Sequence, residues 1–132
     1  MELEKQVVSL ELAKKLKEVG YPQEGLFIWK LLKRSVDNPE IKYRIFLADH
    51  VFSIENGSEV IAPTVAELGE ALPKTINKNH LTTCSRSDKG YFVTYGDIIK
   101  PEDNQIITEA ETEADARALM LLKLYKEGLI KW

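Results

Sequence analysis

The chain is poor in the residue types from which most metal and nucleophile centres are built, with one cysteine, Cys84, and two histidines, His50 and His80. A lone thiol excludes an intramolecular disulfide and a multi-thiolate zinc site, so packing alone must hold the fold. No apolar run approaches the roughly 18 residues that span a bilayer. The opening MELEKQVVSLEL carries acids where an export signal has a basic segment and then an unbroken apolar one, and the expectation is a cytoplasmic protein without membrane contact. The glycines are scattered, and none joins a lysine in a strand-to-helix turn, which sets classical nucleotide hydrolysis aside. A formal net charge of −3 gives no general attraction to nucleic acid or anionic lipid.

What is present suits one soluble domain covering residues 1–132. The apolar fraction of 44% and charged fraction of 30% leave ample material for a core, and no linker, repeat or low-complexity segment divides the chain. Ser9 is placed to cap a helix over Leu10 to Val19, with Leu12, Ala13, Leu16 and Val19 inward and Gly20 and Pro22 ending it. Leu26 to Lys33 is apolar in both parities, as a covered strand is, and Tyr43 to Ala48 reads as its hairpin partner beyond Asp37-Asn38-Pro39. A short strand at Phe52 to Ile54 precedes the turn dipeptide Asn56-Gly57.

Thr64 and Glu67 form a capping box that opens a short second helix through Val65, Leu68 and Leu72 to Pro73. Leu81 to Arg86 and Tyr91 to Tyr95 read as a hairpin around Ser87-Asp88-Lys89-Gly90, and Gln105 to Glu109 could add a strand. Thr112 caps a final helix expected to run to Trp132. The resulting fold class is α+β: three helices and a largely antiparallel sheet built from hairpins, with the C-terminal helix packed on one face.

That last helix carries two apolar stripes. Ala114, Ala118, Leu121, Leu122, Tyr125 and Leu129 fall on one side at about 100° per residue, while Met120 and Leu124 fall opposite, beside Arg117. A second covering partner is implied, and Met120, Leu124 and Arg117 are the candidate interface of a homo-oligomer.

Chemistry is harder to find. Cys84 with His80 or His50 as base would make a cysteine nucleophile, but four residues along a strand leave His80 and Cys84 roughly 13 Å apart. The acids Glu109, Glu111, Glu113 and Asp115 lack the glycine and bidentate glutamate of a calcium loop, and Asp49-His50 lacks further ligands, so no metal site and no cofactor is expected. If Arg86 pairs with Tyr91, then His80 and Arg86 share a face with Tyr91 and Tyr95, a surface able to stack a base and neutralise a phosphate. The competing register places Tyr91, Val93 and Tyr95 in the core. Charge is uneven, with seven acids and only Lys100 between Asp97 and Asp115, against net basic stretches at Lys30 to Arg44 and Lys74 to Lys89.

The stretches SLELAKKLKEVGYPQEGLFIW, IAPTVAELGEALP and TEADARALMLLKLYKEGLI, about two fifths of the chain, resemble a family of small uncharacterised proteins encoded by bacteriophages and prophages. The resemblance implies a phage accessory protein made inside a bacterial host cell. It brings no catalytic residues.

The expectation is therefore a non-enzymatic binding protein, self-associating through its last helix, that engages a host or phage protein or sequesters a small nucleotide-like ligand in a counter-defence role. His80, Arg86, Tyr91 and Tyr95 are the candidate ligand-binding set. The alternatives are nucleic-acid binding through the same hairpin and a cysteine-dependent enzyme.

Overall fold

The computed structural model describes residues 2–32, 42–48, 59–86, 90–96 and 106–132. A single turn of helix, α1 (Leu3–Gln6), leads into α2 (Leu10–Glu18). Ser9 is the N-cap of α2, but its hydroxyl makes no capping bond; its backbone amide instead donates to Asp115 Oδ1 at 2.7 Å. At the other end Gly20 adopts φ +92, the Gly20 amide donates to Lys17 O and the Tyr21 amide to Leu16 O. This paired closure is a Schellman motif, which glycine adopts because it has no Cβ to clash in the left-handed region.

The strands form two antiparallel sheets. The first holds β1 (Phe27–Leu32), β2 (Lys42–Leu47) and β3 (Glu59–Ile61) in the order β2-β1-β3. Its register places Trp29 opposite Ile45 on one side and opposite Val60 on the other. The short β3 carries no turn signal of its own and belongs to the sheet because Glu59, Val60 and Ile61 are all buried. The expected strand at Phe52 to Ile54, its Asn56-Gly57 turn and the Asp49-His50 pair lie outside the described residues.

Helix α3 (Val65–Ala71) begins with the expected box: the Glu67 amide donates to Thr64 Oγ1 and the Thr64 amide to Glu67 Oε1, both at 3.1 Å. The second sheet follows, with β4 (Thr75–Ile76), β5 (Asn79–Arg86), β6 (Gly90–Tyr95) and β7 (Ile106–Ala110) in sequential order. Asn77 and Lys78 turn β4 into β5 with positive φ values of 49 and 69, the pattern of a two-residue type I′ hairpin.

Helix α4 (Glu113–Lys126) stops six residues short of the expected end at Trp132. Gly128 has φ +74, its amide donates to Tyr125 O and that of Leu129 to Leu124 O, a second Schellman closure. The tail then folds back: Trp132 stacks on Tyr125 with ring centres 4.8 Å apart, meets Tyr21 edge-on and donates from Nε1 to Val19 O. The C-terminal helix is therefore packed against β6 and β7 of an α+β fold, with α1, α2 and α3 around it.

That surround corrects the reading of α4 as a helix with a spare face. Met120 and Leu124 are both 0% exposed, as are Ala114, Ala118 and Leu121 on the other stripe. The helices and strands β6 and β7 together surround α4, and Thr108 Oγ1 of β7 donates to Ala116 O at 2.8 Å. Arg117 is committed as well: Nη1 donates to Val65 O at 2.9 Å and Nη2 to Glu113 Oε1 at 2.8 Å. Surface that looked surplus in one dimension is core in three.

Candidate functional site

The hairpin register removes the expected ligand-binding set. Arg86 pairs with Gly90, Ser85 with Tyr91 and Leu81 with Tyr95, a slip of one residue from the alignment that would join the four candidates. Because side chains alternate along a strand, this exchanges the faces. Tyr91 and Tyr95 lie on the face of Leu81 and Thr83, whereas His80 and Cys84 lie on the face of Phe92 and Thr94. The Arg86 side chain lies outside the described residues.

Tyr95 is a core residue. It is 1% exposed, its hydroxyl donates to Pro73 O, and burial pushes its phenol up to about 12. Tyr91 is half-buried and lines a small cleft with Lys5, Val65 and Thr112 at the start of α4. His80 is exposed beside Thr75, and Cys84 is half-buried opposite Phe92, with no bulge in the pairing to shorten the strand between them. Neither the stacking surface nor the thiol–imidazole pair is assembled. Among the described residues no three histidine, cysteine, aspartate or glutamate side chains are grouped to hold a metal ion.

A different surface is assembled on the first sheet. A cleft of about 530 Å³ is lined by Leu3, Glu4, Trp29, Tyr43, Arg44 and Ile45. That volume lies within the range of small-ligand sites. The register puts Trp29 and Ile45 side by side, and Tyr43, two residues from Ile45, shares their face. Trp29 is held by an Nε1 bond to Val8 O at 2.8 Å. Lys14 of α2 sits 4.7 Å from the centre of the Tyr43 ring, a cation over an aromatic face.

The opposite face of the same strands carries a row of charges. Arg44 pairs with Lys30, and Lys30 with Glu59, so the three side chains follow one another across the sheet. Lys30 Nζ lies 3.4 Å from Glu59 Oε1, while Glu59 is 4% exposed and its Oε2 is buried without a hydrogen-bond partner among the described residues. Arg44 is exposed at the sheet edge, directly opposite a like charge.

Sequence reasoning missed this site because each residue had a plain structural role in one dimension. Trp29 and Ile45 were strand residues, and Leu3 lay before the first expected helix. The available signal was the segment Lys42 to Leu47, apolar at 43, 45 and 47 but charged at 42 and 44, as an edge strand is.

A scan of protein-family models and searches of curated proteins and of solved structures found no match to this chain.

Proposed function

We propose that this protein works by binding rather than by turning over a substrate, and that its contact surface is the cleft beside β2, not α4 or the β5–β6 hairpin. The observation that carries this reading is the aromatic and aliphatic lining of a cleft of about 530 Å³ at the edge of a sheet. Buried aromatic anchors next to a polar rim are where contact energy concentrates in protein recognition. Exposed Leu47, at 67% and on the face of Tyr43 and Ile45, continues the apolar surface along β2. The partner is a macromolecule of host or phage, in keeping with the phage accessory role the sequence resemblance implies. Self-association through Met120 and Leu124 has no place in this reading, since both side chains are enclosed by their own protomer.

A second reading, a nucleotide-like ligand, is favoured by one observation: Lys14 over the Tyr43 ring offers a cation against an aromatic surface of the cleft. Both readings share a test. Trp132→Phe leaves Trp29 as the single tryptophan, so its emission reports on the cleft. The variant is titrated with cyclic dinucleotides, with ADP-ribose and with pools of capped peptides. A saturable change with one class, lost in Tyr43→Ala, is expected. A flat response to every probe in folded protein overturns the cleft as the contact surface.

A further inference from the structure

Among the described residues, the backbone at the rim of this cleft has hydrogen-bonding groups without a strand partner. The Phe27 carbonyl accepts from the Ala62 amide at 2.8 Å, and the Leu26 carbonyl from the Ala48 amide at 2.7 Å. Hydrogen-bonded pairs alternate along an antiparallel ladder, so odd positions of β1 bond to β3 and even positions to β2. Arg44 and Phe46 face even positions, Lys30 and Ile28, and turn their amides and carbonyls inward. Tyr43, Ile45 and Leu47 face odd positions and turn theirs outward, past the edge of the sheet. No strand pairs with this edge among the described residues.

An unpaired strand edge is a template for another strand. The side chains bordering it specify what that strand would carry. On one face the row Val60, Trp29, Ile45 is apolar and ends at the cleft. On the other face the row Glu59, Lys30, Arg44 runs acid, base, base and ends in a cation with no acidic partner among the described residues. A carboxylate in the next position would complete the alternation, because opposite charges directly across a sheet attract and like charges repel. Its two chain neighbours would point to the other face, toward the cleft.

We propose that β2 receives an extended segment of a partner protein as a fourth strand, with an acidic residue beside Arg44 and apolar residues on either side of it entering the cleft. This rests on the reading of the cleft as the contact surface and names the class of partner it takes.

The test uses three capped heptapeptides on the full chain: one with a central Val-Glu-Val flanked by threonines, one with Val-Lys-Val, and one with Val-Glu-Val N-methylated at alternate amides. Amide shifts in NMR titrations are expected at Tyr43, Ile45 and Leu47. The glutamate peptide binds roughly five-fold tighter than the lysine peptide, Arg44→Glu reverses that order, and N-methylation removes binding. Arg44 is exposed, and circular dichroism checks that its variant folds. Binding in the cleft without charge preference, or indifferent to N-methylation, overturns strand addition and leaves the cleft reading intact. So does a response of Trp29 to nucleotides alone. Silence from all probes overturns both. A dimer that Arg44→Glu dissociates, with no peptide bound, assigns the edge to a second copy and overturns the foreign partner.

Discussion

The carboxylate of Asp115 accepts the backbone amide of Ser9 at 2.7 Å, across 106 positions of chain. Asp115 also stands in the first turn of its own helix, where its amide donates to Thr112 Oγ1 at 3.2 Å. One residue therefore joins the N-termini of α2 and α4, its carboxylate taking the Ser9 amide and its negative charge standing in the first turn of α4, where the helix dipole favours it. Asp115→Ala should cost about 1–2 kcal/mol, read as a lower urea midpoint at unchanged slope. Asp115→Asn, which keeps an acceptor, should cost less.

Met120→Glu or Leu124→Glu should abolish cooperative unfolding rather than dissociate an oligomer, since each puts a carboxylate into a fully enclosed position. Leu124→Ala should cost about 2–5 kcal/mol by leaving a cavity. Far-ultraviolet dichroism through a thermal ramp separates these outcomes from a change in assembly, which light scattering would register with the fold intact.

Gly90 and Gly128 both have positive φ, +87 and +74, but in different surroundings. A Cβ on Gly90 would collide with the Ala110 carbonyl oxygen, whereas one on Gly128 would meet nothing within 4 Å. Gly128→Ala should thus cost about 1 kcal/mol, the backbone penalty alone. Gly90→Ala should cost clearly more, about 2–3 kcal/mol, because the end of β7 must also move. Paired denaturation curves give the difference.

Tyr95 is held in its neutral form. Its phenol is raised from 10.0 to about 12 by burial, so the folded state holds its proton more tightly than the unfolded chain does. The stabilisation is fully present below about pH 10 and fades as pH rises through 12, by on the order of 2–3 kcal/mol. Tyr21 shifts in the same direction through burial and the charge of Glu67. Alkaline titration of stability in Tyr95→Phe should show a shallower decline over this window than in the parent, and an unchanged slope would refute the assignment.

Hydrogen exchange should report the alternation of β2 directly. The amides of Arg44 and Phe46 are bonded into the sheet and should exchange slowly, while those of Tyr43, Ile45 and Leu47 should exchange fast in the free protein. Equal protection at all five would mean that the edge is already paired.

The capping box of Thr64 and Glu67, the glycine stop at Gly20 and the start of α4 at Thr112 were all legible, because each depends on residues within one turn of helix. The two hairpins were legible as pairs of strands for a similar reason. The register of β5 against β6 was not. Phe92 and Val93 are both buried, at 8% and 0%, so the apolar pattern favours neither face and cannot choose between alignments one residue apart. Short β3 and β4 left no periodicity to read.

The candidate site was illegible for a stronger reason. Leu3, Trp29 and Tyr43 line one cleft only in the folded chain, and no local pattern encodes that meeting.

Local hydrogen bonding and helical or strand periodicity thus determined which elements form and where most of them begin. The folded arrangement decided which apolar faces are spent inside, and here it enclosed Ala114, Ala118 and Leu121 as well as Met120 and Leu124, while no strand lies beside the outer edge of β2 among the described residues. Burial is a property of neighbours far apart in the chain, so an amphipathic segment specifies that it needs cover without specifying what supplies it.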